Sequence, residues 1–486
     1  MVNYLLVVFA GLITPFAFAP FNYVPTIFIS HIILFWLIFN SKDNKQAFKF
    51  GLVFGLSEYL LGFYWMFSIV EGYDINYQIV MSIIILGIII IITLLLGLSS
   101  YIIKRFSSNS ILYYALFTPS IFTLYEWIKS WLFTGFPWYA SSDSLDIFDL
   151  YSLLPIIGYL GLCFIFYIFI GICTYLIKNY KNKIFYFLLF AYLLLLAFAV
   201  LFVKNINWTT DIEKTNIRII TGDFDLNQKN NRYEVINRFD KYKALSNTQP
   251  TADITVWPES TISIDYQDIE KHIDSNDLNT NVFSGVYYQE KDGSKNTIFD
   301  FKEKKPVYYK EHLIPFGEYT PWWFTLLKPF LPKFNMDNLT ASSNEAIFTI
   351  NNIKAFGSIC FEILFSTELL DRSKDANIHI HISDLGWFDN TIAIDYLLNI
   401  ARMRAIETSK PMIYSVNKGY SAFIDHRGEI MHKQSSAGLY MLNQTLSPQQ
   451  GTTFYTEYKN APLLGTIMLL FIIFAFHRGK KNKITQ

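Results

Sequence analysis

Apolar residues run almost unbroken over positions 4–20, 24–40, 51–70, 79–102, 111–132, 153–177 and 184–203, and again over 461–477. Several of these runs have the ~17–25 residues that a helix needs to cross ~30 Å of hydrocarbon. Between 204 and 460 the pattern changes. Short runs rich in β-branched and aromatic residues appear there, bounded by Gly, Pro or charges: NIRIITGDF (216–224), DITVWP (253–258), NVFSGVYYQ (281–289), VYYKEHLIP (307–315), IKAFGSICF (353–361), NIHIHISDL (377–385) and MIYSVNKGYSAFID (412–425). Helical spacing interrupts them at about 229–246 and 391–409, the second reading TIAIDYLLNIARMRAIETS. Strands alternating with helices predict an α/β layered domain. The chain therefore divides into a seven-span region over 1–205, a water-facing domain over 206–458, and a last span with a basic tail over 459–486.

Composition supports a membrane component. Of 486 residues, 52% are hydrophobic and only 16% charged, where soluble domains are usually about 25% charged. The formal net charge is zero, so no global basic character points to nucleic acid. The loops fix an orientation. Lys42, Lys45 and Lys49, then Lys104 and Arg105, then Lys178, Lys181 and Lys183, and finally Arg478, Lys480, Lys481 and Lys483 fall on alternate sides from loops 21–23, 71–78 and 133–152, which hold no Lys or Arg. Positive loops mark the cytoplasmic side. Both termini are therefore expected inside and the 206–458 domain outside. AFAP at 17–20 resembles a leader-peptidase site, but no basic residues precede the apolar run, so a retained first span is expected.

Few polar groups interrupt the spans. Glu58 and His31 are intramembrane ionisable residues, which hint at function; a hydrogen-bonded place inside the bundle is the favoured reading. In YEWIKSWLFTGFPWYASS (125–142), Glu126 and Lys129 precede Gly135 and Pro137. A helix breaking at the outer interface is expected, with Trp131, Trp138 and Tyr139 at headgroup level.

Three residues at strand ends carry candidate chemistry: Glu259 in VWPES, Lys310 in YYKEHLIPFGEYTP and Cys360 in GSICFEILF. A thiolate is a nucleophile for acyl transfer and needs a base or a cationic neighbour. A carboxylate can take the thiol proton, and an ammonium can stabilise a tetrahedral oxyanion. Any domain of this size contains such residues, however, and from spacing alone a small buried thiol is the marginally better reading of Cys360. The pair His379 and His381 shares one strand face as metal ligands do, yet no third ligand stands at metal-site spacing. Packing or hydrogen bonding is expected of them, and no metal or cofactor.

The words VWPES, KEHLIPFGEYTP, SICFEILF and ARMRAIETSKPMIYSVNKG, in this order, resemble the nitrilase-superfamily domain of the apolipoprotein N-acyltransferase family. FAFAPFNYVP (16–25), GFYWM (62–66) and EWIKSWLFTGFPW (126–138) resemble its membrane part. The resemblance implies about eight transmembrane helices and an extracytoplasmic α-β-β-α sandwich, in a bacterial inner membrane. It implies a ping-pong reaction that takes an acyl chain from a phospholipid, typically phosphatidylethanolamine, through a thioester. The acceptor would be the α-amine of a diacylglyceryl-cysteine at a lipoprotein's N-terminus.

By the same resemblance Cys360 is the nucleophile, Glu259 the general base and Lys310 the oxyanion-stabilising lysine. Glu318 and Glu362 match supporting carboxylates, with an ion pair from Glu362 to Lys310 as one option. Trp387, Phe388 and Phe361 match substrate-side positions. Several positions depart from the family pattern. Phe361 stands where tyrosine is common, Asn230 replaces a tryptophan, and Asp384, Leu385 and Asp389 alter the stretch around Trp387. The apolar segment PWWFTLLKPFLP (321–332) reads as an interfacial arm over a lipid entrance, one that would have to move for lipid to pass. Two other functions stay open on the residues themselves: a membrane-tethered amidase using water, and a non-catalytic lipid or lipoprotein carrier.

Overall fold

The computed structural model describes every residue except 71–74, 182, 223, 225–230, 323–338, 343–345, 436–437 and 485–486, together with the side chains of 477–484. Asn230, most of the 321–332 segment and the side chains of the C-terminal basic cluster lie outside the described residues. The chain forms two compact units, Met1–Ile206 with Tyr458–Gln486, and Asn207–Glu457.

The first unit is helical. Among the described residues three helices are long and apolar enough to cross a membrane, Ile75–Arg105, Leu150–Lys178 and Lys183–Val203. A fourth span arises if Asn44–Gly62 and Tyr64–Val70, bent by 49°, are counted together. Val2–Ala17, Pro25–Phe39 and Ala461–Phe476 are apolar but shorter. The helix Thr118–Lys129 is short for a local reason. It follows a π-turn at Tyr113–Phe117 and stops before Phe133 and Gly135, both with positive φ.

This last region departs from the sequence expectation. Trp131 is half exposed, but Trp138 and Tyr139 are 2% and 3% exposed. Trp138 packs on Trp65 with ring centroids 4.8 Å apart, and the Tyr139 hydroxyl donates to the Gly62 carbonyl at 3.0 Å. Glu126 and Lys129 are paired at 2.7 Å and buried. An amphipathic ring reads alike at a headgroup and in a core with one hydrogen-bond partner, and here the core holds it.

The second unit is built on two sheets. The first runs in the order Tyr440–Leu446, Thr215–Thr221, Ile254–Val256, Asn281–Glu290, Gly293–Asp300 and Lys305–Tyr309, with Ile262–Asp265 also beside Asn281–Glu290. The second runs Ile430–Ser435, Tyr420–Ile424, Met412–Asn417, Ile378–Asp384, Ile353–Ile359 and Ile347–Ile350. The central pairs of both sheets are parallel.

β-branched residues drive the stacking. Ile217, Ile219, Ile254 and Val256 of one sheet share a buried cluster with Ile359, Ile378, Ile380 and Ile382 of the other. On the outer face of the first sheet the helix Arg232–Ser246 buries Phe239 and Tyr242 against Trp257. The helices Ser366–Ser373 and Ala393–Thr408 pack on the second sheet. The result is an α-β-β-α sandwich, as expected. Ile380 sits at its centre, fully buried. Ile380→Ala is expected to cost about 2–5 kcal/mol of the second unit's stability, the usual toll of an unfilled core cavity. Denaturant unfolding of the purified protein measures this, and a cost below about 1 kcal/mol would contradict the two-sheet packing.

Candidate active site

The ends of three strands supply the site. Glu259 follows Ile254–Val256 by one Trp-Pro step, and Ser260 next to it has φ 58°. Lys310 follows Lys305–Tyr309, and its backbone N–H donates to the Asn296 carbonyl at 2.9 Å. Cys360 ends Ile353–Ile359 and opens the 3₁₀ turn Cys360–Leu364. Cys360 has φ 54°, a left-handed conformation that costs a non-glycine residue about 1–2 kcal/mol. Strain of this kind collects at functional turns that aim a side chain outward.

Glu362 holds that turn. Its Oε2 accepts the Ile359 N–H at 2.7 Å, and its Oε1 accepts from the Glu311 and His312 amides at 2.9 and 3.1 Å. The Tyr308 hydroxyl donates to both oxygens, and Arg372 lies 3.6 Å from Oε1. The carboxylate thus ties the Cys360 turn to the loop that follows Lys310. An ion pair from Glu362 to Lys310 is not what forms. The lysine's partner is Glu318, with Nζ to Oε1 at 2.6 Å. Glu318 is fixed in turn by the Ile314 amide at 2.9 Å.

Glu259 is placed by two donors. The Asn296 side-chain amide donates to Oε1 at 2.7 Å and the Asp384 backbone N–H to Oε2 at 2.7 Å. Lys310 Nζ lies 4.0 Å from Glu259 Oε1. Asn296 also reaches Glu318 at 3.4 Å, so one neutral amide spans the two carboxylates. Asp384 departs from the family sequence, yet its main chain orients the carboxylate, and its side chain accepts from Gly386 N–H and Asn417 at 3.1 Å each.

Electrostatics set the resting charges. Burial pushes the Cys360 thiol up to about 12, with Glu259 adding to the rise; Lys310 pulls against it. Burial alone would lower Lys310, but Glu318, Cys360 and Glu259 together outweigh it and hold the ammonium above the ordinary lysine range. The site at rest is a neutral thiol beside a permanent cation. Cys360 is a free cysteine.

Other expected residues fall as follows. Phe361 is half-buried and packs on Phe365 and His312, with centroids 5.1 and 5.8 Å apart. Trp387 and Phe388 are half-buried on the 3₁₀ turn Leu385–Phe388, directly after Asp384. Trp322, the described end of the apolar segment, is 80% exposed. His379 and His381 are buried and share the Ser358 hydroxyl at 2.6 and 2.8 Å. Burial lowers both, His381 to about 3, so the pair is neutral. No cluster of metal-binding side chains exists among the described residues.

Sequence reasoning missed Asn296, Tyr308 and Arg372. Asn296 left a trace: Lys295, Asn296 and Thr297 are polar in a strand otherwise running into apolar residues, and all three are buried. A buried polar residue needs a partner, and this one serves the carboxylates.

Comparison with known proteins agrees with this geometry. A family described as Carbon-nitrogen hydrolase matches residues 226–442, which hold every residue of the site, and one described as Apolipoprotein N-acyltransferase N-terminal domain matches residues 10–172. An apolipoprotein N-acyltransferase of Vibrio parahaemolyticus is 28% identical over 98% of this chain and 97% of its own length. The chain belongs to the apolipoprotein N-acyltransferase family. It is accordingly an N-acyltransferase enzyme. Apolipoprotein N-acyltransferases of Pasteurella multocida and Coxiella burnetii are each 28% identical over 98% of the chain. Among solved structures, Saccharomyces cerevisiae Nit3, a member of branch 10 of the nitrilase superfamily, aligns at 15% identity and a TM-score of 0.38, over 50% of this chain and 93% of its own.

One glycine guards the site of this N-acyltransferase. A Cβ on Gly285 would stand 2.4 Å from Glu259 Cα and 2.8 Å from Ser260 N, both backbone. Gly285→Ala must therefore displace Glu259. A shift of about 1 Å can cost about 10²-fold in rate, and acyl-transfer assays of the folded variant are expected to show a loss of that order. Wild-type turnover would remove Glu259's placement from the account.

Proposed function

We propose that this chain transfers a fatty acyl group from a phospholipid to the N-terminal amine of a diacylglyceryl-cysteine lipoprotein, through a thioester on Cys360. The observation that carries the proposal is the convergence of Glu259, Lys310 and Glu318 around a thiol held on a left-handed turn. In the first half-reaction the Glu259 carboxylate takes the Sγ proton as sulfur attacks the ester carbonyl carbon. Lys310 faces the developing oxyanion, a contribution of about 10²–10³ in rate. The C–O bond then breaks, and the lysophospholipid leaves with the proton returned by Glu259. In the second half-reaction the lipoprotein amine attacks the thioester. Glu259 accepts the amine proton and hands it to the departing thiolate, leaving an amide and the resting enzyme.

The other residues support this cycle. Glu318 anchors the ammonium, Glu362 fixes the nucleophile turn, and Trp387, Phe388 and Phe361 supply apolar surface for the acyl chain. Phosphatidylethanolamine is the expected donor. The chain is read as a bacterial inner-membrane protein with about eight spans, both termini cytoplasmic and the catalytic unit on the periplasmic side. Supporting this are the alternation of basic and uncharged loops and the apolar helices of the first unit.

Two experiments test the reading. Incubation with labelled phospholipid is expected to load one acyl group on Cys360, detectable by mass spectrometry. A diacylated lipopeptide should then discharge it as a triacylated product. Discharge only to free fatty acid would make the protein an amidase-type hydrolase, and wild-type turnover by Cys360→Ser would end the thioester mechanism. Second, the resting thiol has a defined pH signature. Because it is pushed up to about 12, alkylation by iodoacetamide should rise about tenfold per pH unit between pH 6 and 9, with no plateau. Lys310→Met removes the cation that lowers the thiol, so alkylation should slow at every pH. A plateau below pH 8 would contradict the neutral resting state.

A further inference from the structure

The helical unit holds a polar centre that the reaction does not use. Glu58 on the helix Asn44–Gly62 and His31 on Pro25–Phe39 line one cavity with Tyr59, Glu126 and Ser141. Both are 5% exposed. The cavity volume is about 10 Å³, close to the minimum that one water requires.

The hydrogen-bond accounting is specific. His31 Nδ1 lies 3.0 Å from the Ile27 carbonyl and 3.1 Å from the Ser30 hydroxyl, so this nitrogen has a partner in either tautomer. Its Nε2 has no hydrogen-bond partner among the described residues. Among the described residues none bonds to the Glu58 carboxyl either. The neighbouring polar groups are already engaged. Glu126 pairs with Lys129 at 2.7 Å and accepts from Tyr167 at 3.0 Å, Ser141 bonds to the Tyr167 hydroxyl at 2.6 Å, and Tyr59 bonds to Tyr125 at 2.5 Å. Two unpartnered groups, nine-tenths buried and from different helices, therefore border a space the size of one water.

We propose that a single water occupies this cavity and bridges the Glu58 carboxyl to His31 Nε2. The water, which can donate or accept, makes one hydrogen bond to Nε2 and a second to the carboxyl, which satisfies both groups. A lipid headgroup is too large for the space. A metal cation is disfavoured by Lys129, whose ammonium stands 5.4 and 5.8 Å from the Tyr125 and Tyr59 ring centres that border the same polar cluster. The bridge joins two helices through polar atoms where van der Waals packing alone would leave them unsatisfied. Its chemistry is that of an intramembrane structural centre, separate from acyl transfer.

The test is a double-mutant cycle on the full-length protein in lipid nanodiscs, read by thermal melting, with Glu58→Leu, His31→Leu and the double variant. Removing one partner strands the other, whereas removing both leaves an apolar pocket. Each single variant should lower Tm by several degrees, and the double variant should lie at or above the worse single. Additive losses would overturn the bridge. An experimental structure should show density within hydrogen-bond distance of both Glu58 and His31 Nε2. A direct Glu58–His31 contact or a dry cavity would overturn it independently. Cys360 acylation in the double variant should stay within about twofold of wild type, since neither group belongs to the reaction.

Discussion

The buried ion pair between Lys310 and Glu318 is the contact on which the catalytic unit turns. An ammonium taken out of water is expensive unless a carboxylate and further hydrogen bonds compensate it. Glu318 provides that compensation at 2.6 Å, and it is itself held by the Ile314 amide. Because Glu318 takes the close position, Glu259 remains 4.0 Å from the ammonium. Its oxygens are oriented instead by the Asn296 amide and the Asp384 N–H. Two carboxylates and one cation leave the site short of positive charge, and with burial this keeps the Cys360 sulfur protonated. A neutral thiol is a poor nucleophile and a poor target for oxidants. The same balance leaves the Glu259 carboxylate beside the cation with its oxygens held by neutral donors.

Geometry comes from a second carboxylate. Glu362 accepts five hydrogen bonds, from Tyr308 twice, Glu311, His312 and Ile359. They join the strand that ends in Lys310 to the strand that ends in Cys360, across the two sheets. The strained left-handed turn at Cys360 persists because its flanking amide is claimed by a side chain two residues beyond it. Strain survives only where its surroundings over-determine it, and Glu362 with Arg372 is that surrounding. Glu318 and Glu362 thus split two tasks, one setting charge and the other setting place.

Much of this was legible in the chain. The switch from long apolar runs to short alternating ones near position 204 marks the change of unit that the structure places at Ile206. Glu259, Lys310 and Cys360 stood out because they close strand-like runs, and the structure brings them together. What stayed hidden follows from geometry that sequence spacing does not encode. Asn296 lies on a strand antiparallel to its neighbour, and only the register of that pairing aims it at Glu259. Asp384 acts through its backbone, so its identity carried no signal. Glu362 lies two residues after Cys360, yet most of its partners come from 308–312 and 372, so the option of an ion pair with Lys310 could not be decided from sequence. Trp138 and Tyr139 are buried against Trp65 and Gly62, a packing that aromatic enrichment in the sequence does not reveal.

Each unit contains a buried lysine–glutamate pair, and the two differ in what surrounds them. Lys129 and Glu126 meet at 2.7 Å, Lys310 and Glu318 at 2.6 Å. In both, neutral donors satisfy the carboxylate: Tyr167 and Ser141 in the helical unit, Asn296 and the Ile314 amide in the sandwich. The first pair ends there, with the lysine's remaining contacts going to the Tyr139 carbonyl and two tyrosine faces. The second pair has a further carboxylate at 4.0 Å and a thiol whose ionisation both carboxylates resist and the lysine favours. A buried ion pair by itself is a structural device. Chemistry begins where a second, separately oriented carboxylate and a nucleophile share the same cation.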